Sequence, residues 1–148
     1  HQGLQEYQAP VEYGRSEIIR KGKKIAVLGV GSMIPSCMEI CKGLKDDGYD
    51  PTFVNARFVK PLDVDLLDEL AKDHSLFVTV EENVKSGGYG EHVSAYMEAC
   101  HPEIRVLSAA VWNRFVPQGN VESLRSRIGL GVEDIRQAIE DSEELREQ

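Results

Sequence analysis

The sequence has no apolar run close to the roughly 20 residues that a membrane-spanning helix requires. Its only cysteines are Cys37, Cys41 and Cys100, without a CxxC pair, so neither a disulfide scaffold nor a zinc knuckle is expected. Basic residues are in the minority, with 17 Lys and Arg against 25 Asp and Glu, which gives a net charge of −8. Such a chain repels phosphate backbones and anionic lipid surfaces, so we expect neither nucleic acid nor a membrane as a partner.

What remains is the composition of a folded protein. Of its 148 residues, 41% are apolar and 28% are charged, which excludes collagen-like, low-complexity and wholly disordered chains. The first residues contain neither an initiator Met nor an apolar signal core, so we interpret the chain as a soluble piece of a longer protein. Unpaired cysteines are typical of the cytoplasm. We expect a lead-in over residues 1–15 and one domain over residues 16–148.

Extended runs and helical periods alternate along the chain. Extended runs lie at residues 16–20, 24–30, 52–55, 76–80 and 104–110, and helical periods at residues 33–44, 61–70, 89–100, 120–128 and 132–143. The second run is almost wholly apolar, which indicates a strand covered on both faces. The pattern predicts an α/β fold, with a mainly parallel twisted sheet of about five strands and helices on both faces. The first two runs, around Lys21-Gly22, predict an N-terminal hairpin-like edge.

A glycine-containing turn at residues 29–34 joins the second strand to the first helix. It begins a dinucleotide fingerprint, but Ile34 occupies the third glycine position, and Asn55 lies where a ribose-binding acid is expected. We therefore favour a tight turn over a nucleotide site, with Ser32 as the helix cap and Pro35 in the first turn.

A second strand–loop–helix segment places carboxylates at the carboxyl end of a strand, the edge where open α/β sheets bind ligands. Adjacent strand residues point to opposite sides, so Glu81 and Glu82 are not expected to share a proton as a catalytic pair. Two interpretations remain. Either Glu81 and Asn83 bind backbone amides of the glycine turn and fix its shape, which we favour, or the loop takes part directly in chemistry. The candidate functional-edge loop consists of Glu81, Glu82, Asn83, Gly87, Gly88 and Gly90.

The other reactive side chains show no catalytic grouping. His74, at a helix end, and His101, beside Pro102, are predicted to lie on the surface. Cys37 and Cys41 share the apolar face of a helix, so we expect them to be small core residues. No Ser-His-Asp set and no metal-ligand spacing is visible, and no catalytic, cofactor-binding or metal-binding residue is predicted.

Three motifs in fixed order carry a family resemblance. They are residues 55–63 (Asn-Ala-Arg-Phe-Val-Lys-Pro-Leu-Asp), the loop of residues 81–90, and residues 113–116 (Asn-Arg-Phe-Val). From about Gly14 to Ile139, the chain resembles the C-terminal domain of the 1-deoxy-D-xylulose-5-phosphate synthases, a family of transketolase-like thiamine diphosphate enzymes. The family motif residues are Asn55, Arg57, Lys60, Pro61, Asp63, Arg114 and Phe115.

The resemblance implies a function for the parent chain. That enzyme condenses pyruvate with glyceraldehyde 3-phosphate, releases CO2 and forms 1-deoxy-D-xylulose 5-phosphate for isoprenoid and thiamine biosynthesis. Thiamine diphosphate and Mg²⁺ are held by its upstream domains, so no cofactor is expected in this piece. The piece itself is expected to be inactive and to provide packing against the upstream domains and contacts with a second subunit of a homodimer.

An alternative is a free-standing partner-docking module related to the C-terminal domain of a 2-oxoacid decarboxylase beta subunit. A reading frame that extends upstream of His1 favours the first interpretation, and a start codon there favours the second. Either way, we expect an aromatic surface for a partner, because aromatic residues are enriched at interfaces. Its members are Tyr89, Tyr96, Trp112 and Phe115.

Overall fold

Five strands form a single sheet in the computed structural model, which describes residues 15–57, 62–82, 88–111 and 131–147. The strands are β1 (Glu17–Arg20), β2 (Lys24–Gly29), β3 (Thr52–Asn55), β4 (His74–Glu82) and β5 (Arg105–Val111). Their order in the sheet is β1-β3-β2-β4-β5, and every neighbouring pair is parallel except β1 and β3. The predicted α/β fold with a mainly parallel five-stranded sheet is confirmed.

The pairing of the first strand differs from the prediction. β1 is an antiparallel edge strand, but it pairs with β3, with Ile18 opposite Val54, and it forms no hairpin with β2. The reason is the composition of β2. Its apolar residues are buried, and both of its edges are filled by the parallel strands β3 and β4, so it lies inside the sheet where a hairpin partner has no place.

Within the described residues, four α-helices connect or follow the strands. They are α1 (Ile34–Asp46), α2 (Val64–Ala71), α3 (Tyr89–Cys100) and α4 (Val132–Glu147), and a short 3₁₀ turn (Gly31–Met33) precedes α1. The helix predicted at residues 120–128 lies outside the described residues. Within the described ranges, no helix is long and apolar enough to cross a membrane.

The helices cover both faces of the sheet, as predicted, and each face has its own apolar core. In β2, Ile25 and Val27 face one core, whereas Ala26 and Leu28 face the other. The first core takes Ile40 and Leu44 of α1 and Ile135 and Ile139 of α4, and the second takes Leu67 and Leu70 of α2 and Val93 and Met97 of α3. This alternation follows from the two-residue period of a strand.

Helix α2 begins three residues after Pro61, which was predicted to open it and which lies outside the described residues. Its N-cap is Asp63, whose side chain accepts a hydrogen bond from Leu66 N at 3.2 Å. Aspartate is among the preferred N-cap residues because its carboxylate satisfies a free amide of the first turn. The motif residue Asp63 thus marks the start of this helix.

Candidate functional site

Glu81 connects the carboxyl end of strand β4 to the start of helix α3. It is the second-to-last residue of β4 and is only 7% exposed. Its two carboxylate oxygens accept hydrogen bonds from Tyr89 N and Gly90 N, each at 2.9 Å. These are the first amides of α3, which have no partner within the helix, and the positive end of the helix dipole favours a negative charge there. Glu81 thus binds two backbone amides beside the glycine turn, as its structural interpretation expects.

Glycine is required at the two described glycine positions, Gly88 and Gly90, for different structural reasons. Gly88 has φ +80°, a left-handed conformation that side chains with a Cβ rarely adopt. At Gly90, a Cβ would lie 2.8 Å from Glu81 Oε2 and from Thr79 Oγ1, and 2.9 Å from Ser108 Oγ. Gly90 therefore permits the close approach that brings its amide to Glu81. Asn83 and Gly87 lie outside the described residues.

Glu82 points away from Glu81, as the strand period predicts. It accepts a hydrogen bond from the Ser32 hydroxyl at 3.3 Å, on an exposed part of the surface. Ser32 itself lies in the 3₁₀ turn, and the N-cap of α1 is Met33, without a side-chain hydrogen bond, so the prediction that Ser32 caps this helix is wrong. Pro35 does lie in the first turn of α1, where the missing N–H costs nothing.

The expected aromatic surface is not formed by the two described tyrosines. Tyr89 is 3% exposed and packs in the core between the sheet and α2 and α3. Burial raises the pKa of its phenol, and the nearby carboxylates of Asp63 and Glu81 raise it further. Tyr96 is half-buried against the same core. Trp112 and Phe115 lie outside the described residues.

Three family motif residues form a second cluster at the amino-terminal end of the described chain. Asp63 accepts a hydrogen bond from Ser16 N at 2.7 Å, and Arg57 donates one to Glu17 at 2.9 Å. Asn55 Oδ1 accepts the backbone N–H of Arg57 at 3.0 Å. The remaining motif residues, Lys60, Pro61, Arg114 and Phe115, lie outside the described residues.

His74 was predicted to lie on the surface, but it is 4% exposed. Its Nε2 lies 2.7 Å from Thr52 Oγ1, and its Nδ1 lies 2.8 Å from Leu70 O. Thr52 Oγ1 also accepts a hydrogen bond from Gly22 N at 2.8 Å, so the hydroxyl can donate its own proton to Nε2. The network joins the β1–β2 connection, β3, α2 and β4 at the end of the sheet opposite Glu81.

His101 is half-buried at the end of α3 and belongs to a small polar cluster, not to an open surface. Asp68 Oδ1 lies 2.8 Å from His101 Nε2 and accepts a hydrogen bond from the Tyr96 hydroxyl at 2.7 Å. These hydrogen bonds, with that of His101 the larger cause, lower the pKa of Asp68. Both donors meet one carboxylate oxygen, so the cluster joins α2 to α3.

The two helical cysteines are buried in the core, as predicted. Burial raises the pKa of the Cys37 thiol and raises that of Cys41 to about 12, so both are inert thiols at neutral pH. Within the part of the chain that the structure describes, no group of three or more His, Cys, Asp or Glu residues is placed to hold a metal ion. Among the described residues of the sheet edge, the arrangement observed is a carboxylate that binds the first amides of a helix.

Several curated relatives of this chain are 1-deoxy-D-xylulose-5-phosphate synthases. The chain is 40% identical over 134 residues to 1-deoxy-D-xylulose-5-phosphate synthase of Lachnoclostridium phytofermentans. This alignment covers 90% of this chain and 21% of that protein. It is 39% identical over 137 residues to the synthase of Dictyoglomus thermophilum, covering 93% of this chain and 22% of that protein. The chain spans about a fifth of the length of the curated relatives it matches.

Two solved structures share the fold. The first is described as "Split gene transketolase, inactive beta4 tetramer", with a TM-score of 0.72 and 28% identity over 90% of this chain and 43% of that one. The second is transketolase from Campylobacter jejuni, with a TM-score of 0.56 and 17% identity over 86% of this chain and 18% of that one. Residues 14–135 match the family described as transketolase, C-terminal domain.

Proposed function

We propose that this chain, which belongs to the transketolase C-terminal domain family, is the C-terminal domain of a 1-deoxy-D-xylulose-5-phosphate synthase. The observation that carries the proposal is the 40% identity to such a synthase along 90% of this chain but only 21% of the synthase. The parent enzyme would convert pyruvate and glyceraldehyde 3-phosphate into 1-deoxy-D-xylulose 5-phosphate and CO2 in the cytoplasm. The alternative, a docking module related to 2-oxoacid decarboxylase beta subunits, is not favoured by these relatives.

We propose that the described residues do not hold the cofactor of such an enzyme. Thiamine diphosphate is bound through a Mg²⁺ ion, and Mg²⁺ requires several oxygen ligands around one point. Residues 15–57, 62–82, 88–111 and 131–147 contain no group of three acidic, His or Cys side chains so arranged. We therefore assign no step of the reaction to this chain and propose that the upstream domains of the parent hold both thiamine diphosphate and Mg²⁺.

The role proposed for this domain is packing against the upstream domains and against a second subunit of a homodimer. The contact between β4 and α3 supports this role, because Glu81 in the sheet holds the first amides of α3 in one position. The similar split-gene transketolase chain is described as an inactive β4 tetramer. That description supports the proposal that a chain with this domain but without the remaining domains is inactive and self-associates.

The proposal is tested at the gene and in solution. An upstream reading frame should encode the missing four-fifths of a synthase, and the full-length protein should form 1-deoxy-D-xylulose 5-phosphate when supplied with both substrates, thiamine diphosphate and Mg²⁺. A start codon directly before His1, or a full-length protein without this activity, contradicts the proposal.

The isolated chain provides the matched control. It should show no synthase activity, and calorimetric titration with thiamine diphosphate and Mg²⁺ should give no saturable heat. Saturable binding in the micromolar range would show that this domain holds a cofactor site, and it would contradict the proposal that the upstream domains hold the cofactor.

A further inference from the structure

The described chain begins on a short, weakly held strand. β1 has four residues and pairs only with β3 among the described strands, and its register shifts between Ile18 and Arg20. Its two isoleucines are exposed at 39% and 45%. A four-residue edge strand with so few buried side chains opens easily unless other contacts hold it. The position of the chain before it therefore depends on side-chain contacts to the rest of the domain.

Asp63 provides the most specific of these contacts. One of its oxygens accepts Leu66 N at 3.2 Å and caps α2, and the other accepts Ser16 N at 2.7 Å, 47 residues away in sequence. Serine, threonine or asparagine would also cap the helix, but each has a single acceptor oxygen, whereas a carboxylate has two. An aspartate is thus needed here because two separate backbone amides must be bound at once. Its side chain is 8% exposed, so both contacts are shielded from water.

Arg57 binds Glu17, the first residue of β1. Its guanidinium donates a hydrogen bond to Glu17 at 2.9 Å, 40 residues away in sequence. Its backbone has φ +58°, a left-handed conformation that is unfavourable for arginine. Asn55 compensates for this strain, because its side-chain oxygen accepts the Arg57 N–H at 3.0 Å. Arg57 thus adopts an unfavourable backbone conformation at the position from which its side chain contacts Glu17.

Two further contacts act on the same short segment. The Ser16 hydroxyl donates to Ala56 O at 3.1 Å, and Arg15 forms an ion pair with Asp65 at 3.0 Å. Each of residues 15–17 is therefore tied to the segment 55–65 by its own side chain or backbone. Three motif residues are described by the structure, and each of them forms or supports one of these contacts. They are Asn55, Arg57 and Asp63.

We propose that Asn55, Arg57 and Asp63 form an N-terminal clamp, which fixes residues 15–17 on β3 and α2 and so sets where the upstream polypeptide of the parent enzyme joins this domain. The partner is that upstream polypeptide, and the inference rests on the proposed function to that extent. A clamp at the junction limits the orientations available to two linked domains, because fewer residues then remain between them. The motif residues are thus positioning residues for the domain assembly.

The first test uses the 148-residue chain. Asp63→Ser keeps a helix cap but loses the second acceptor, so amide exchange at Ser16 should accelerate about tenfold or more, with Leu66 changed about threefold or less. The matched variant Glu69→Ser, an exposed acid on the same helix, should change neither amide. Unchanged exchange at Ser16, or equal acceleration at Ser16 and Leu66, overturns the clamp.

A second variant covers the case in which Asp63→Ser does not fold. Glu17→Gln alters a half-exposed side chain and removes only the Arg57 ion pair. Amide exchange along β1 should then rise about threefold, as expected when an edge strand loses one tie. A rise no larger than that caused by Glu69→Ser contradicts the role of Arg57 in the clamp.

The final test uses the full-length parent protein. Asp63→Ser should lower its synthase kcat about fivefold or more at saturating substrates, while Glu69→Ser should retain the wild-type value. Equal kcat for Asp63→Ser and wild type overturns the role of the clamp in domain assembly. A wild-type parent without synthase activity instead rejects the proposed function, and the exchange measurements on the isolated chain then still decide whether the clamp exists.

Discussion

Replacing Glu81 with glutamine removes the negative charge that binds the first amides of α3 to β4. Glutamine retains one acceptor oxygen, but its NH2 group faces the second amide donor, so Tyr89 N or Gly90 N loses its partner in a buried site. The side-chain volume is nearly unchanged, so the effect reports the lost interaction and not a cavity. We therefore expect a folded but destabilised protein.

The magnitude follows from three contributions. A hydrogen bond to a charged acceptor contributes about 1.5–3 kcal/mol, and a buried amide left without a partner costs about 1–3 kcal/mol. A carboxylate at a helix N-terminus adds about 0.3–1 kcal/mol. Since one neutral hydrogen bond remains in the variant, we expect the free energy of unfolding to fall by about 2–4 kcal/mol. For a chain of this size, that corresponds to a decrease in Tm of about 4–15 °C.

Urea denaturation and amide exchange test this prediction together. With a urea m value of about 1–3 kcal/mol per molar, the midpoint should shift by about 1 M or more, and exchange at Tyr89 and Gly90 should accelerate beyond that of the rest of α3. Glu82→Gln is the matched control, because this neighbouring carboxylate accepts one exposed hydrogen bond, from Ser32. Equal small shifts for both variants would refute the capping role of Glu81.

The same contact can be broken from the helix side. In Gly90→Ala, the new methyl group would lie 2.8 Å from Glu81 Oε2 and must displace that carboxylate or shift the helix. Overpacking of this kind costs about 1–3 kcal/mol. The double variant Glu81→Gln/Gly90→Ala should lose less than the sum of the single losses, because both changes act on one contact. Full additivity would indicate that the two residues act independently.

Three further predictions concern other contacts. Gly88→Val should lower the free energy of unfolding by about 2 kcal/mol or more, because φ is +80° there, whereas Glu91→Ala should change it by less than about 0.5 kcal/mol; equal Tm values would contradict this. Thr52→Val should cost about 2–3 kcal/mol by breaking the buried network of His74, measured by urea denaturation, and a loss below about 0.5 kcal/mol would show that the network is dispensable. The pKa of Asp68 is lowered in the folded state, so its contribution to stability is present above the unfolded pKa of about 3.9 and is lost as pH falls through the lower folded value; an Asp68→Asn variant should lack this part of the acid transition.

The order of strands and helices could be predicted because it depends on local patterns. Buried strands without polar alternation and apolar residues at helical spacing each identify an element from a few neighbouring residues. The pairing of β1 could not be predicted in the same way. Its partner β3 lies more than 30 residues away, and the adjacent β2 is the nearer candidate in sequence. Only the filled edges of β2 exclude the hairpin, and these edges exist only in the assembled sheet.

The histidines show the same limit at the level of single side chains. His74 follows shortly after the end of α2 and is the first residue of β4, and its local sequence gives no sign of burial. Its partner Thr52 comes from a strand 22 residues earlier, and the amide that completes the network belongs to the turn before β2. A buried polar residue is tolerated when its hydrogen bonds are satisfied, and here the partners assemble only through tertiary structure.

The family resemblance named motif positions without giving their physical contacts. It treated residues 55–63 and residues 81–90 as separate motifs. In the structure, Arg57 and Asp63 of the first contact residues 16 and 17, and Glu81 of the second binds the start of α3. Tyr89 connects them, because its buried phenol lies close enough to both Asp63 and Glu81 for their charges to raise its pKa. The phenol of Tyr89 is thus affected by the charge of Asp63, while its backbone amide binds Glu81.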